Sequence, residues 1–252
     1  MNFPAALRKE ILESWRTYRF LVVISVLVIF GILSPLTAKF MPEIFKMVSG
    51  AEQFAALIPE PSVKDAVDQY IKNISQFALI MGVLISMGAV VQEKERGTAA
   101  MILVKPLPRG VFLLAKLTVL LVVFSASLLL AGLCAYYYTL YLFEPLPVLP
   151  FLAMNGLLLV YTMVYVALTL FFSTVGRSQA LAGGLSLATM AVLGIVGSIP
   201  SLRKFVPASL IDWGSSLVQQ TDLNAWLALW ISLGIIFVAL LGSWLVLRRQ
   251  EL

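Results

Sequence analysis

The sequence predicts an all-α polytopic membrane protein: six transmembrane helices, an N-terminal interfacial amphipathic helix, a short cytoplasmic helix between the second and third spans, and both termini cytoplasmic. Three observations predict it. The chain is 60% apolar with a mean hydropathy of +0.96, well above the ~45–50% apolar content of soluble domains. Six stretches lack Asp, Glu, Lys and Arg altogether, residues 20–38, 73–92, 117–143, 145–176, 178–202 and 223–247, each close to or beyond the ~20 residues that cross a bilayer as a helix. Finally, of the 18 Lys and Arg, twelve fall in the segments that face the cytoplasm if both ends are inside. Short cytoplasmic segments retain positive charge, so the net charge of +5 reads as membrane orientation and not as nucleic-acid binding.

Residues 1–19 precede the first span, with Phe3, Leu7, Ile11, Trp15 and Tyr18 on one helical stripe and Arg8, Lys9, Glu13 and Arg16 elsewhere. That pattern suits a helix lying on the inner leaflet. The first apolar run is longer than a secretory h-region and lacks an A-x-A site after it, which argues against a cleaved signal. The spans are placed at about 20–38, 73–92, 112–140, 150–174, 179–199 and 225–247, the fourth and fifth divided at Arg177 with help from Gly176 and Ser178. An outer loop, 39–72, carries Pro42, Pro59 and Pro61 and is expected to form a small cap, with a helical fragment near 62–72. FEPLPVLP, 143–150, is a tight outer connection stiffened by three prolines. Residues 200–224 form an outer amphipathic segment broken by Pro200, Pro207 and Gly214. Trp213, Trp226, Trp230 and the tyrosines at 136–138 and 141 suit the outer aromatic belt, Trp15 and Trp244 the inner one.

What the chain lacks narrows its function. It has no His, and its single Cys134 lies inside an apolar run, so imidazole chemistry, His-ligated zinc, a disulfide framework and a Cys metal site are all excluded. No acidic or basic residue sits near the middle of a span, whereas ion-driven carriers need such groups deep in the membrane. Lys116 comes closest, one or two turns into the third span, where its stem could snorkel inward. The phosphate-cradling G-x-x-x-x-G-K-[ST] loop is missing as well. Small residues recur every four positions at Ser127, Ala131 and Ala135 and again at Ala180, Gly184 and Ala188, a spacing that lets helices approach closely within a subunit or between two.

The exception to this apolar character is QEKERGTAAMILVKPLPRG, residues 92–110. The second span ends in Glu93, Lys94, Glu95 and Arg96; Gly97 permits a turn and Thr98 is a good N-cap. Ala99 to Val104, with Met101 near its middle, makes a short apolar helix that Pro106 stops before Arg109. An apolar helix rimmed by charge suits docking into a groove on a soluble partner. Topology alone asks only for positive charge there.

This loop resembles that of the permease subunits of type-2 ATP-binding-cassette (ABC) exporters, in which Glu-x-Glu-x-Gly-Thr, an apolar helix and Pro-x-x-Arg follow the second span. The matching residues are Glu93, Glu95, Gly97, Thr98, Pro106 and Arg109. The six-span layout and the two amphipathic segments fit too, while the first outer loop is longer than in the simplest members. The resemblance implies a cytoplasmic coupling helix at 93–109, with Arg96 and Met101 among its contact residues. It also implies a second permease chain, identical or not, and two separate ATPase subunits carrying the ATP and Mg, with no cofactor, catalytic residue or metal on this chain. The setting would be the plasma (inner) membrane of a prokaryote, and membrane lipids the other partner. An ATPase-associated membrane scaffold that carries no solute is the alternative. Tyr136, Asn155, Tyr161, Thr162 and Tyr165 would suit an amphipathic substrate but equally suit packing; Asn155 needs a helix partner unless it is solvated at the outer end.

Overall fold

The computed structural model describes residues 3–47, 60–95 and 108–249. Among them the chain is helical, without strands: α1 (Phe3–Arg16), α2 (Arg19–Met47), α3 (Val63–Ser86), α4 (Val91–Glu95), α5 (Arg109–Leu142), α6 (Val148–Val175), α7 (Gln179–Gly197), a 3₁₀ turn at Arg203–Phe205, α8 (Ser209–Gln219) and α9 (Trp226–Arg249). Six are long and apolar enough to cross a membrane, α3 and α4 counting together.

The most buried of the spans is α6, which packs against α3, α5, α7, α8 and α9. Its apolar surface is distributed around the whole helix, as expected of one enclosed by others. Val164, Val166, Ala167 and Leu170 are inaccessible. On one flank, α2 lies between α3 and α5. It approaches α5 so closely that a Cβ built on Gly31 would lie 2.6 Å from the Ala131 carbonyl oxygen. The small stripe Ser127, Ala131 and Ala135 is consequently buried within the subunit. The second small stripe behaves differently. Ala180, Gly184 and Ala188 are exposed on α7, and a Cβ on Gly184 would meet nothing within 4 Å among the described residues.

Residues 62–72 are not a separate cap but the opening turns of α3. Ser62 and Asp65 form a reciprocal capping box: the Ser62 amide donates to Asp65 (2.8 Å) and the Asp65 amide to the Ser62 hydroxyl (3.4 Å). With no breaker after it, the buried stripe Val67, Tyr70, Ile71, Ile74 runs on into Ala78 and Val83. The break between α6 and α7 is made by Gly176, which stands beyond the last turn of α6, and Ser178, whose hydroxyl accepts from the Leu181 amide at 3.2 Å.

Asn155 finds a helix partner and is not solvated. Its carboxamide oxygen accepts from the Tyr70 hydroxyl at 2.6 Å, its nitrogen donates to the Phe151 carbonyl at 2.9 Å, and both side chains are buried. Gly132 leaves the room, since a Cβ there would approach the Asn155 oxygen to 3.0 Å. Tyr70→Phe is expected to cost about 1 kcal/mol, seen as a small drop in melting temperature in detergent. Trp213 departs from the belt expectation: it is buried against Trp226, ring centroids 4.9 Å apart, whereas Trp226 and Trp230 are exposed.

Candidate functional site: an ionic anchor beneath the charged loop

Charge gathers where α1, α4 and the first turns of α5 meet. Lys116 is only 4% exposed, and its ammonium lies 3.0 Å from Glu10, 2.8 Å from Glu93 and 4.9 Å from the Phe112 ring centre. It does not snorkel to solvent, because α1 brings a carboxylate to it. From the other side Lys9 reaches Glu93 at 2.6 Å, Glu10 at 3.0 Å and Glu13 at 3.3 Å. Burial disfavours the charged form of Lys9, yet Glu10 and Glu93 more than offset this and its pKa is raised above the ordinary 10.5. A raised lysine pKa stabilises the fold fully below that ordinary value and loses the effect as pH climbs from it through the raised one, so Lys9 stays charged throughout the physiological range. Glu10, Glu13 and Glu93 also form the one group of three carboxylates within 4.8 Å among the described residues. Lys9 and Lys116 lie among these carboxylates, and Arg19 stands 3.9 Å from Glu13.

These contacts explain the orientation of α1. Its charged residues Lys9, Glu10 and Glu13 turn toward the bundle, while Phe3, Ile11, Leu12, Trp15 and Tyr18 are exposed. The apolar face is therefore the free one, as an interfacial helix requires. Tyr18, at φ 56°, turns the chain between α1 and α2. This left-handed conformation is a common helix terminator. Beside the turn, Arg19 bonds Gln92 at 3.1 Å, and Gln92 bonds Gln179 of α7 at 2.6 Å.

Both flanks of the loop are fixed to helices. Between α3 and α4 the backbone makes a turn at Met87–Val90, and the amides of Val90 and Val91 both donate to the Ser173 hydroxyl at 3.1 Å. Lys94 donates to the Thr174 carbonyl at the end of α6, and Arg109 to the Leu247 carbonyl near the end of α9. Cations at these C-terminal carbonyls satisfy orphan acceptors and complement the helix dipole. So α4 is tied to α1, α5, α6 and α7, and the start of α5 is tied to α9.

Of the residues expected to contact a partner, Glu95 is exposed and Arg109 half-buried, whereas Glu93 is 7% exposed and faces Lys9 and Lys116. Glu93 is thus an internal anchor and not part of the rim. The reason is the match of its charge with two lysines that the fold carries to it. Arg96, Gly97, Thr98, Met101 and Pro106 lie outside the described residues. Sequence reasoning missed Lys9, Glu10, Gln92 and Ser173 as members of this anchor. Only the single buried-span cation Lys116, in need of a carboxylate, hinted at it.

Comparison with known proteins supports the reading of the architecture. The chain is 26% identical over 253 residues to the uncharacterized transmembrane protein YxlG of Bacillus subtilis (strain 168), an alignment that covers 98% of this chain and 97% of that one. A family model described as ABC-2 family transporter protein matches residues 5–252. With nearly its whole length matched and six helices able to cross a membrane, the chain is a multi-pass membrane protein of the ABC-2 transporter family.

Proposed function

We propose that the chain is the permease subunit of an ATP-driven exporter in a prokaryotic plasma membrane, with both termini and the 93–109 loop in the cytoplasm. It pairs with a second permease chain, and two separate ATPase subunits carry the nucleotide and Mg. The observation that carries this reading is the anchoring of the loop at both flanks. A push on residues 96–107 is passed through Glu93 to α1 and α5, through Lys94 to α6 and through Arg109 to α9. Such connected packing and ion pairs let a local displacement become a tilt of whole helices. Pairing is supported by α7, whose small-residue face has no partner among the described residues, the kind of surface on which membrane helices associate. The substrate class that suits the apolar and aromatic spans is an amphipathic molecule moved out of the cytoplasm.

Copurification tests the first step: the chain should bring down an ATPase bearing the G-x-x-x-x-G-K-[ST] motif, and candidate substrates should stimulate that ATPase. Purification without any ATPase would overturn the reading; an associated ATPase that no solute stimulates would favour the scaffold alternative. The charge swap Glu95→Lys with Arg96→Glu is expected to abolish coupled transport while the melting temperature stays within a few degrees of wild type, since Glu95 is exposed and the swap keeps the net charge of the pair. Unchanged transport in the double variant would remove the loop from the coupling path.

A further inference from the structure

At the opposite end of the bundle from the ionic anchor, a cavity of about 740 Å³ opens between the 3₁₀ turn, α8 and the first turn of α9. Its wall combines Arg203, Lys204, Asp212, Trp213, Trp226 and Leu227. Arg203 grips Asp212 through two hydrogen bonds of 2.8 Å, which cancels that carboxylate. Lys204 has no acidic partner among the described residues, and its ammonium lies 5.1 Å from the Phe205 ring centre. The cavity is therefore a positively charged chamber with two indoles at its side.

One turn along α9 from Leu227, on the same face, stands Ile231, and there a second cavity of about 450 Å³ begins. It is lined by Leu168 and Phe171 of α6 and by Ile231, Gly234, Ile235 and Val238 of α9, almost wholly carbon. A Cβ on Gly234 would meet nothing within 4 Å among the described residues, so this part of the groove is open to them. From Ile231 to Gly242 it follows α9 for about 16 Å, close to the ~15 Å half-thickness of the hydrocarbon core.

We propose that these two cavities form one binding site for a phosphate-headed membrane lipid, with the headgroup beside Lys204 and an acyl chain along the α6–α9 groove. The charged chamber alone would accept any phosphate ester; the apolar groove in register beneath it selects one that carries a chain. Tryptophans at that depth hold the boundary between polar and apolar parts. The site is independent of what the chain transports.

The test is native mass spectrometry of the full chain in mild detergent, offered phosphatidylglycerol or phosphatidylcholine, with glycerol phosphate as a soluble competitor. Wild type should retain phosphatidylglycerol in preference to phosphatidylcholine, and glycerol phosphate at equal concentration should not displace it. Retention should fall about fivefold in Lys204→Gln, the loss associated with one membrane-facing cation, and at least as far in Gly234→Leu, where the new side chain fills the groove. Equal retention in both variants and wild type would overturn the proposal. Displacement by glycerol phosphate would make the ligand a soluble anion and overturn it too. A loss of subunit association in Gly234→Leu with lipid retention unchanged would assign the groove to a second copy of the chain, with the same consequence.

Discussion

Lys116→Met is expected to destabilise the protein by about 3–5 kcal/mol, the cost of leaving a buried charge without its partner. The ammonium lost is the one that sits between Glu10 and Glu93, 3.0 and 2.8 Å away. Lys9 remains beside the same two carboxylates, but it is far more exposed and already serves Glu13 as well. Thermal unfolding in detergent should show a large fall in melting temperature, and α1 should become accessible to protease. The double variant Lys116→Met with Glu93→Leu removes one charge of each sign and should recover most of the loss, because a buried ion pair replaced by apolar groups is often neutral. Arg16→Met, on the exposed side of α1, serves as the control and should change stability little. A single variant as stable as that control would mean that the anchor contributes nothing to the fold.

The second large effect separates two stripes that look alike in sequence. Gly31→Leu should destabilise the subunit by about 3 kcal/mol, since its first new carbon would lie 2.6 Å from the Ala131 carbonyl and force α2 away from α5. A Cβ on Gly184 meets nothing within 4 Å among the described residues, and Gly184→Leu should leave the melting temperature of the monomer unchanged. What it should abolish is association between permease chains, read by cross-linking in membranes. Intact association in Gly184→Leu would place the pairing surface elsewhere.

The spans could be read from the sequence because the absence of charge is a local property, visible run by run. Caps were legible for the same reason: Ser178 and the Gly176 break lie within three residues of each other. The anchor was not, because Lys9 and Glu93 are 84 residues apart and Lys116 and Glu10 are 106 apart. An amphipathic helix with charges on one side shows that it has two faces, but not which face meets protein. In α1 the hydrophobic stripe was traced from the sequence, whereas the division of its charged residues was not: Lys9, Glu10 and Glu13 face protein while Arg8 and Arg16 are exposed. Asn155 advertised a need for a partner, yet no spacing rule points to a tyrosine 85 residues away. The opening of α3 was obscured by its own composition, since Lys64, Asp65, Asp68 and Lys72 suggest a solvated loop. The buried stripe between them decides the matter.

The three-residue gap between α6 and α7 carries a mechanical consequence. At that end the two helices are joined through Gly176–Arg177–Ser178 alone and are pinned by Gln92 to Gln179, so they cannot separate there. The far end of α7 leads into a much longer connection, 198–225. Relative motion of the pair is thereby reduced to rotation about one pivot. For a rod of 19 residues, about 28 Å long, a tilt of about 10° sweeps its tip through roughly 5 Å. A rotation of about 10° at the pivot thus becomes, at the far end of α7, a displacement of about one helical turn.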